Sequence, residues 1–135
     1  MNFASIRVIT GDVERLVAFY ERVTGSAAVW STPDFAEVHF ASATLAIGST
    51  RTVGLFGAGS AEAGANRSVI LEFIVPDVDA CFAELGPWLE EVVTPPTTMP
   101  WGNRAVLFRD PDGNLVNLFT PVSEEAVVKF ATVAR

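Results

Sequence analysis

"IRVITGDVERLVAFYE", residues 6 to 21, returns in outline as "LEFIVPDVDACFAELG", residues 71 to 86. The stretches align at a constant spacing of 65, which puts Ile9 on Ile74, Asp12 on Asp77, Val13 on Val78 and Ala18 on Ala83. Each begins with an apolar strand-like run, meets Asp-Val, and continues as a helix. Asp12 and Asp77 suit the N-cap position, where a carboxylate accepts from the free N–H groups of a first helical turn. In the first helix Val13, Leu16, Val17 and Tyr20 fall at i, i+3, i+4 and i+7, one apolar stripe, with Glu14, Arg15 and Glu21 on the wet side. The correspondence continues in "EVHFASATLAI", residues 37 to 47, and "AVLFRDPDGNLVNL", residues 105 to 118. Both read as strand, turn and strand, and the alignment sets Phe40 opposite Phe108. The reading predicts an α+β chain of two βαβββ modules.

These repeats set the organisation. Module one is expected over about residues 3 to 49 and module two over about 67 to 121, together one domain spanning 1 to 135. Between them "TRTVGLFGAGSAEAGAN", residues 50 to 66, is rich in Gly, Ala and Ser and reads as a flexible linker or a lid. The tail, residues 122 to 135, has acidic residues at its front and basic ones behind, which suits a short closing helix.

Composition narrows the function classes. At 135 residues the chain can bury a proper core without staples. Half of it is apolar and the mean hydropathy is +0.35, yet no run approaches the roughly 18 uninterrupted apolar residues of a membrane span. The opening "MNFASIRVIT" has no basic region leading into a long apolar stretch, and Cys81 is the single cysteine, so a cytoplasmic location without a disulfide framework is expected. A net charge of -7 disfavours nucleic acid and favours cationic partners. Cys81 lies one turn into a helix with no His placed to activate it, so it reads as a small buried hydrophobe rather than a nucleophile.

The doubled layout, "DVERLVAFYERVTG" after the first strand and "WGNRAVLFRDPDGNLVNLF" near the end resemble the vicinal oxygen chelate superfamily. That superfamily includes glyoxalase I, extradiol dioxygenases, fosfomycin-modifying enzymes and bleomycin-resistance proteins, and the likeness covers residues 3 to 120. It implies curved mixed sheets around a concave cavity, commonly completed by a second subunit; with the high apolar fraction, it implies a homodimer. It also implies metal ligands on the first and fourth strands of each module in the enzyme members. Mapped here, those positions hold Ser5, Ala46, Ile70 and Asn117, which lack the carboxylate, imidazole or thiolate donors a divalent metal needs. No metal and no cofactor is therefore expected.

Strand alternation supplies the rest of the candidate site. If Ser5 faces the cavity, so does Arg7. In the second module Ile70, Glu72 and Ile74 share that face, and pairing Val38 with Val106 as core residues turns Glu37 and His39 inward. Two readings stand for Arg7: it pairs with Glu72 or Glu37 as an internal salt bridge, or it meets a ligand. Asn117 either bonds neighbouring side chains or orients a ligand with an uncharged amide. A metal site from His39, Glu37 and Glu72 is open on donor chemistry alone. Trp30, Phe35 and Trp101 are expected to line the cavity as aromatic platforms. The expected ligand-binding set is thus Ser5, Arg7, Trp30, Phe35, Glu37, His39, Glu72, Trp101 and Asn117.

The resulting expectation is a metal-independent small-molecule binding protein of the bleomycin-resistance kind, sequestering a planar or cationic compound such as an antibiotic. Two alternatives stay open. One is a glyoxalase-like or dioxygenase-like lyase or isomerase with Glu72, Glu37 or His39 as general base. The other is a protein whose cavity is filled by its own side chains.

Overall fold

The first helix starts where its cap requires. In the computed structural model, which describes residues 1–135, Asp12 sits in extended backbone (φ -144°, ψ 91°) and its carboxylate accepts from the Arg15 backbone N–H at 3.1 Å. Helix α1 (Val13–Thr24) follows and buries Val13, Leu16, Val17 and Tyr20, the stripe expected from sequence, together with Phe19. It stops at Gly25, whose left-handed backbone (φ 70°) lets its N–H reach the Glu21 carbonyl.

The chain divides into two compact units, residues 1–66 with 111–113, and residues 67–110 with 114–135. The first holds α1 and a four-stranded sheet in the order β1 (Ser5–Thr10), β4 (Thr44–Ser49), β3 (Phe35–His39), β2 (Val29–Thr32). β1 and β4 run parallel and the other pairs antiparallel. α1 packs on β3 and β4, over a face where Ala36, Val38, Leu45 and Ile47 are buried. Residues 111–113 go with this unit, and there Asp112 accepts from Arg15 Nη2 at 2.9 Å.

The second unit repeats the plan with the order β5 (Ile70–Ile74), β8 (Leu115–Pro121), β7 (Asn103–Arg109), β6 (Val92–Thr98). Asp77 caps α2 (Val78–Leu85) by accepting from Ala80 N–H, as Asp12 does for α1, and Thr120 Oγ1 takes the Val78 N–H at 3.0 Å. Cys81 is half-buried on α2, where burial and the charges of Asp77 and Glu84 push its thiol up, keeping it protonated. The closing helix expected from the tail is α3 (Glu124–Lys129), capped by Ser123, with Glu124 and Glu125 in its first turn and Lys129 in its last. No helix is long and apolar enough to cross a membrane.

Three expectations change. The stretch after β4 is not loose at its start: Thr50–Leu55 form a 3-10 helix capped by Ser49, with Thr52 Oγ1 donating to the Ser49 carbonyl at 2.7 Å and Val53 buried. Its stop at Phe56 is made by the Phe56 N–H on the Val53 carbonyl. Second, the modules match with a slip of two residues in the hairpin. Arg7 aligns with Ala46 and then Glu37, while Glu72 aligns with Asn117 and then Leu107, so Phe108 corresponds to Val38 and not to Phe40. A slip of two preserves which face each residue takes, and so the inward and outward assignments along β3 survive it. Third, Trp30 pairs with Ala36, whose row is the helix-covered one, and therefore lies on the face opposite Glu37.

Candidate functional site

On the first unit, the sheet face away from α1 carries a cross-strand row of Arg7, Ala46, Glu37 and Val29. The next row is Ser5, Thr44 and His39, and Phe35 lies beyond Glu37 on the same side of β3. His39 Nδ1 is 3.1 Å from Thr44 Oγ1 across the pair. Ser5, Arg7, Phe35, Glu37 and His39 thus share one sheet face, as strand alternation requires. Neither Arg7 nor Glu37 enters a salt bridge, so the Arg7–Glu37 pair, one form of the salt-bridge reading, does not form. The Arg7 guanidinium instead lies 4.5 Å from the Phe35 ring centroid and 4.9 Å from that of Phe56. Both contacts are cation–π, in which the ring quadrupole attracts the charge.

The corresponding row of the second unit is Glu72, Asn117, Leu107 and Thr94. Asn117 Nδ2 donates to Glu72 Oε2 at 2.7 Å, a short bond of the charge-assisted kind. The other end of the amide is different: Asn117 Oδ1 is buried and has no hydrogen-bond partner. Leaving a buried acceptor unmatched costs about 1–3 kcal/mol, so such atoms are uncommon and mark places where a partner belongs. Asn117 therefore does the first of the two things the sequence allowed. Its nitrogen bonds a neighbour and its oxygen stays available. Ile70 and Leu115 form the adjoining row, apolar on both strands. Trp101 is 68% exposed in the turn between β6 and β7, where the Gly102 N–H closes on the Met99 carbonyl at 2.9 Å.

The positions that resemblance assigns to a metal do not fit one. Ala46 and Ile70 have no donor atom, Ser5 offers only a neutral hydroxyl, and the Asn117 nitrogen is committed to Glu72. Nowhere do three His, Cys, Asp or Glu side chains gather so as to hold a metal ion.

Sequence reading missed Phe56, because a residue inside a Gly-rich stretch has no periodic neighbours to place it. A signal was present: it is the one aromatic residue between positions 50 and 66.

A family model described as the Glyoxalase/Bleomycin resistance protein/Dioxygenase superfamily matches residues 2–118. Among solved structures, a protein of unknown function from Agrobacterium tumefaciens str. C58 is 25% identical, with a TM-score of 0.75 over 90% of this chain and 95% of that one. A glyoxalase/bleomycin resistance protein/dioxygenase from Nocardioides is 22% identical, with a TM-score of 0.75 over 92% of this chain and 85% of that one. A glyoxalase/bleomycin resistance protein/dioxygenase family enzyme from Burkholderia phytofirmans PsJN is 16% identical, with a TM-score of 0.77 over 90% of this chain and all of that one, 100%. No curated protein sequence matches the chain.

Proposed function

The chain belongs to the Glyoxalase/Bleomycin resistance protein/Dioxygenase superfamily, and from that premise we propose that it binds a small planar molecule without a metal ion, sequestering it as an antibiotic-binding protein would. The observation that carries the reading is Asn117. A buried carbonyl oxygen without a partner, beside a carboxylate and flanked by apolar strand residues, is the arrangement of a binding surface: mostly apolar, with a few fixed polar groups. On the same unit as Asn117, Glu72 and the exposed ring of Trp101 are the further groups proposed to meet the ligand; Ser5, Glu37 and His39 are proposed as binding groups of the first unit. Trp30, on the other face of its sheet, is left out.

The test is binding by protein dialysed against chelator, followed by tryptophan fluorescence with planar antibiotics. Binding is expected to persist, and elemental analysis is expected to find no stoichiometric zinc, nickel, manganese or iron. Trp101→Ala should weaken binding by about 1–3 kcal/mol, five- to more than a hundredfold, as loss of an aromatic anchor does. Asn117→Ala should cost about 1 kcal/mol, the worth of one neutral hydrogen bond. About one metal per chain retained through the chelator, with binding abolished when it is stripped, would sink the proposal.

We also propose that the chain works as a homodimer. Val29 on β2, Ile70 on β5 and Val92 on β6 are apolar strand residues that remain exposed, groups of the kind that a self-complementary contact covers. Sedimentation at micromolar concentration is expected to give twice the chain mass. A monomer there would end this part of the reading.

A further inference from the structure

We infer that Arg7 is an oxyanion-recognition point of the first unit, where a ligand carboxylate pairs with its guanidinium. The inference rests on the metal-free binding proposed above for the groups of that unit and adds the charge of what they take, which net charge alone would have made cationic.

Three observations lead to it. First, cation–π contact answers the charge of Arg7 but not its hydrogen bonds. The Phe35 and Phe56 rings lie 4.5 and 4.9 Å from the guanidinium carbon, yet a ring face offers no lone pair to five N–H donors. No side-chain hydrogen bond or ion pair engages them.

Second, other charges of the molecule have been answered by side chains. Asp and Glu outnumber Lys and Arg 16 to 9, and other arginines have found carboxylates: Arg15 with Asp112, Arg51 with Asp34, Arg104 with Asp79. The internal repeat gives the sharper contrast. Glu72 occupies the position of Arg7 in the second unit and is tied by the side chain at the next position of its row, Asn117. At that place beside Arg7 the first unit has Ala46, which has nothing to offer. The fold provides a partner for one of the two equivalent charges and withholds it from the other.

Third, the guanidinium lies against two rings that the first unit supplies. Phe35 belongs to β3. Phe56 follows the 3-10 helix, whose cap at Ser49 and whose Arg51–Asp34 pair, 2.8 Å at Nε, tie that stretch to its own unit. A fork already set against ring faces loses less freedom on pairing, and a planar fork matches a planar carboxylate with two parallel hydrogen bonds. Phe35 and Phe56 are positioning residues in this scheme; Arg7 makes the contact.

The experiment uses the full chain, dialysed against chelator, with benzoate and benzamidinium as matched aromatic probes of opposite charge at equal millimolar concentration and ionic strength. The Arg7 Nε–Hε resonance, assigned by its loss in Arg7→Met, reports directly. Benzoate is expected to shift it and benzamidinium to leave it in place. Arg7→Met should weaken benzoate binding about ten- to a hundredfold, the loss of a charge-assisted pair. Arg7→Lys should recover only part of it, because the charge returns without the fork. Phe56→Leu should weaken binding severalfold, with Phe56→Tyr restoring it. The melting temperature should hardly move in any of these variants, since Arg7 and Phe56 are exposed.

Benzamidinium binding with benzoate inert would overturn the inference and leave metal-free binding intact. Binding of benzoate unchanged in Arg7→Met would overturn it too. A stronger response of the Arg7 resonance to inorganic phosphate than to benzoate would overturn the carboxylate assignment. Binding that appears only when a divalent metal is added, yet still needs Arg7, would keep the inference and remove the metal-free reading. Failure of both probes would remove both.

Discussion

Phe108→Ala is expected to lower the unfolding free energy by about 3–5 kcal/mol, a fall of roughly 10–20 °C in melting temperature for a chain of this size. Phe108 is fully buried on β7, shares its sheet face with the buried Val106, and pairs with Val116 on β8 and Val92 on β6. Deleting the ring removes its transfer energy and leaves a void that strands fixed by backbone bonds on both sides can close only partly. Two neighbours make the experiment specific. Leu107, one residue along, turns to the other face and is only half-buried, so Leu107→Ala should cost about 1 kcal/mol. Phe40, which sequence alignment sets opposite Phe108, lies half-buried in the turn where its N–H meets the Ala43 carbonyl, and Phe40→Ala should also cost much less. Urea denaturation of the three variants measures this. Equal losses for Phe40 and Phe108 would restore the register that the structure rejects.

Gly102→Ala is expected to cost about 2–4 kcal/mol, although it adds one methyl group. The backbone there has φ of 93°, a conformation in which a Cβ is strained by about 1 kcal/mol or more. The larger part is collision. The added carbon would meet Ser123 at both Oγ and Cβ, the latter at 2.6 Å, and Ala126 Cβ at 3.3 Å. These atoms cannot step aside freely. The Gly102 carbonyl accepts from the N–H groups of Val122 and Ser123 at 2.9 and 3.0 Å, and Ser123 Oγ caps α3 through the Ala126 N–H. Making room would therefore break the seat of the closing helix. Gly113→Ala is the control, since Gly113 has φ of 83° but no atom within 4 Å of the added carbon, so only the backbone strain of about 1 kcal/mol applies. Thermal melts of the two variants should differ clearly. If they fell together, the contact with Ser123 would carry no weight.

Much of this molecule was legible in its residues. The caps at Asp12 and Asp77, the stripe of Val13, Leu16, Val17 and Tyr20, and the alternation that turns Ser5, Arg7, Glu37 and His39 to one face all express short-range geometry, in which the spacing of side chains along one element decides which side they take. The repeat at 65 residues, with the family resemblance it carried, extended that reading to two βαβββ modules. Asn117 was noticed for the same reason, as a polar residue at an inward position of an apolar strand.

What spacing along one chain cannot decide is which residue on another element meets each side chain. The hairpin register slipped by two because strand pairing is settled by packing across the sheet, and parity is blind to even shifts. Trp30 left the expected face because β2 pairs with β3 through Ala36, a choice made between strands and not within one. For Arg7 the sequence left a carboxylate partner or a ligand open, and tertiary structure gave it Phe35 and Phe56, the second delivered by a short helix whose sequence looked like a loose connection. Asn117 could be named from the sequence. That its nitrogen would be taken by Glu72 while its oxygen stayed buried and unmatched depended on a residue 45 positions away, brought beside it by the parallel pairing of β5 and β8.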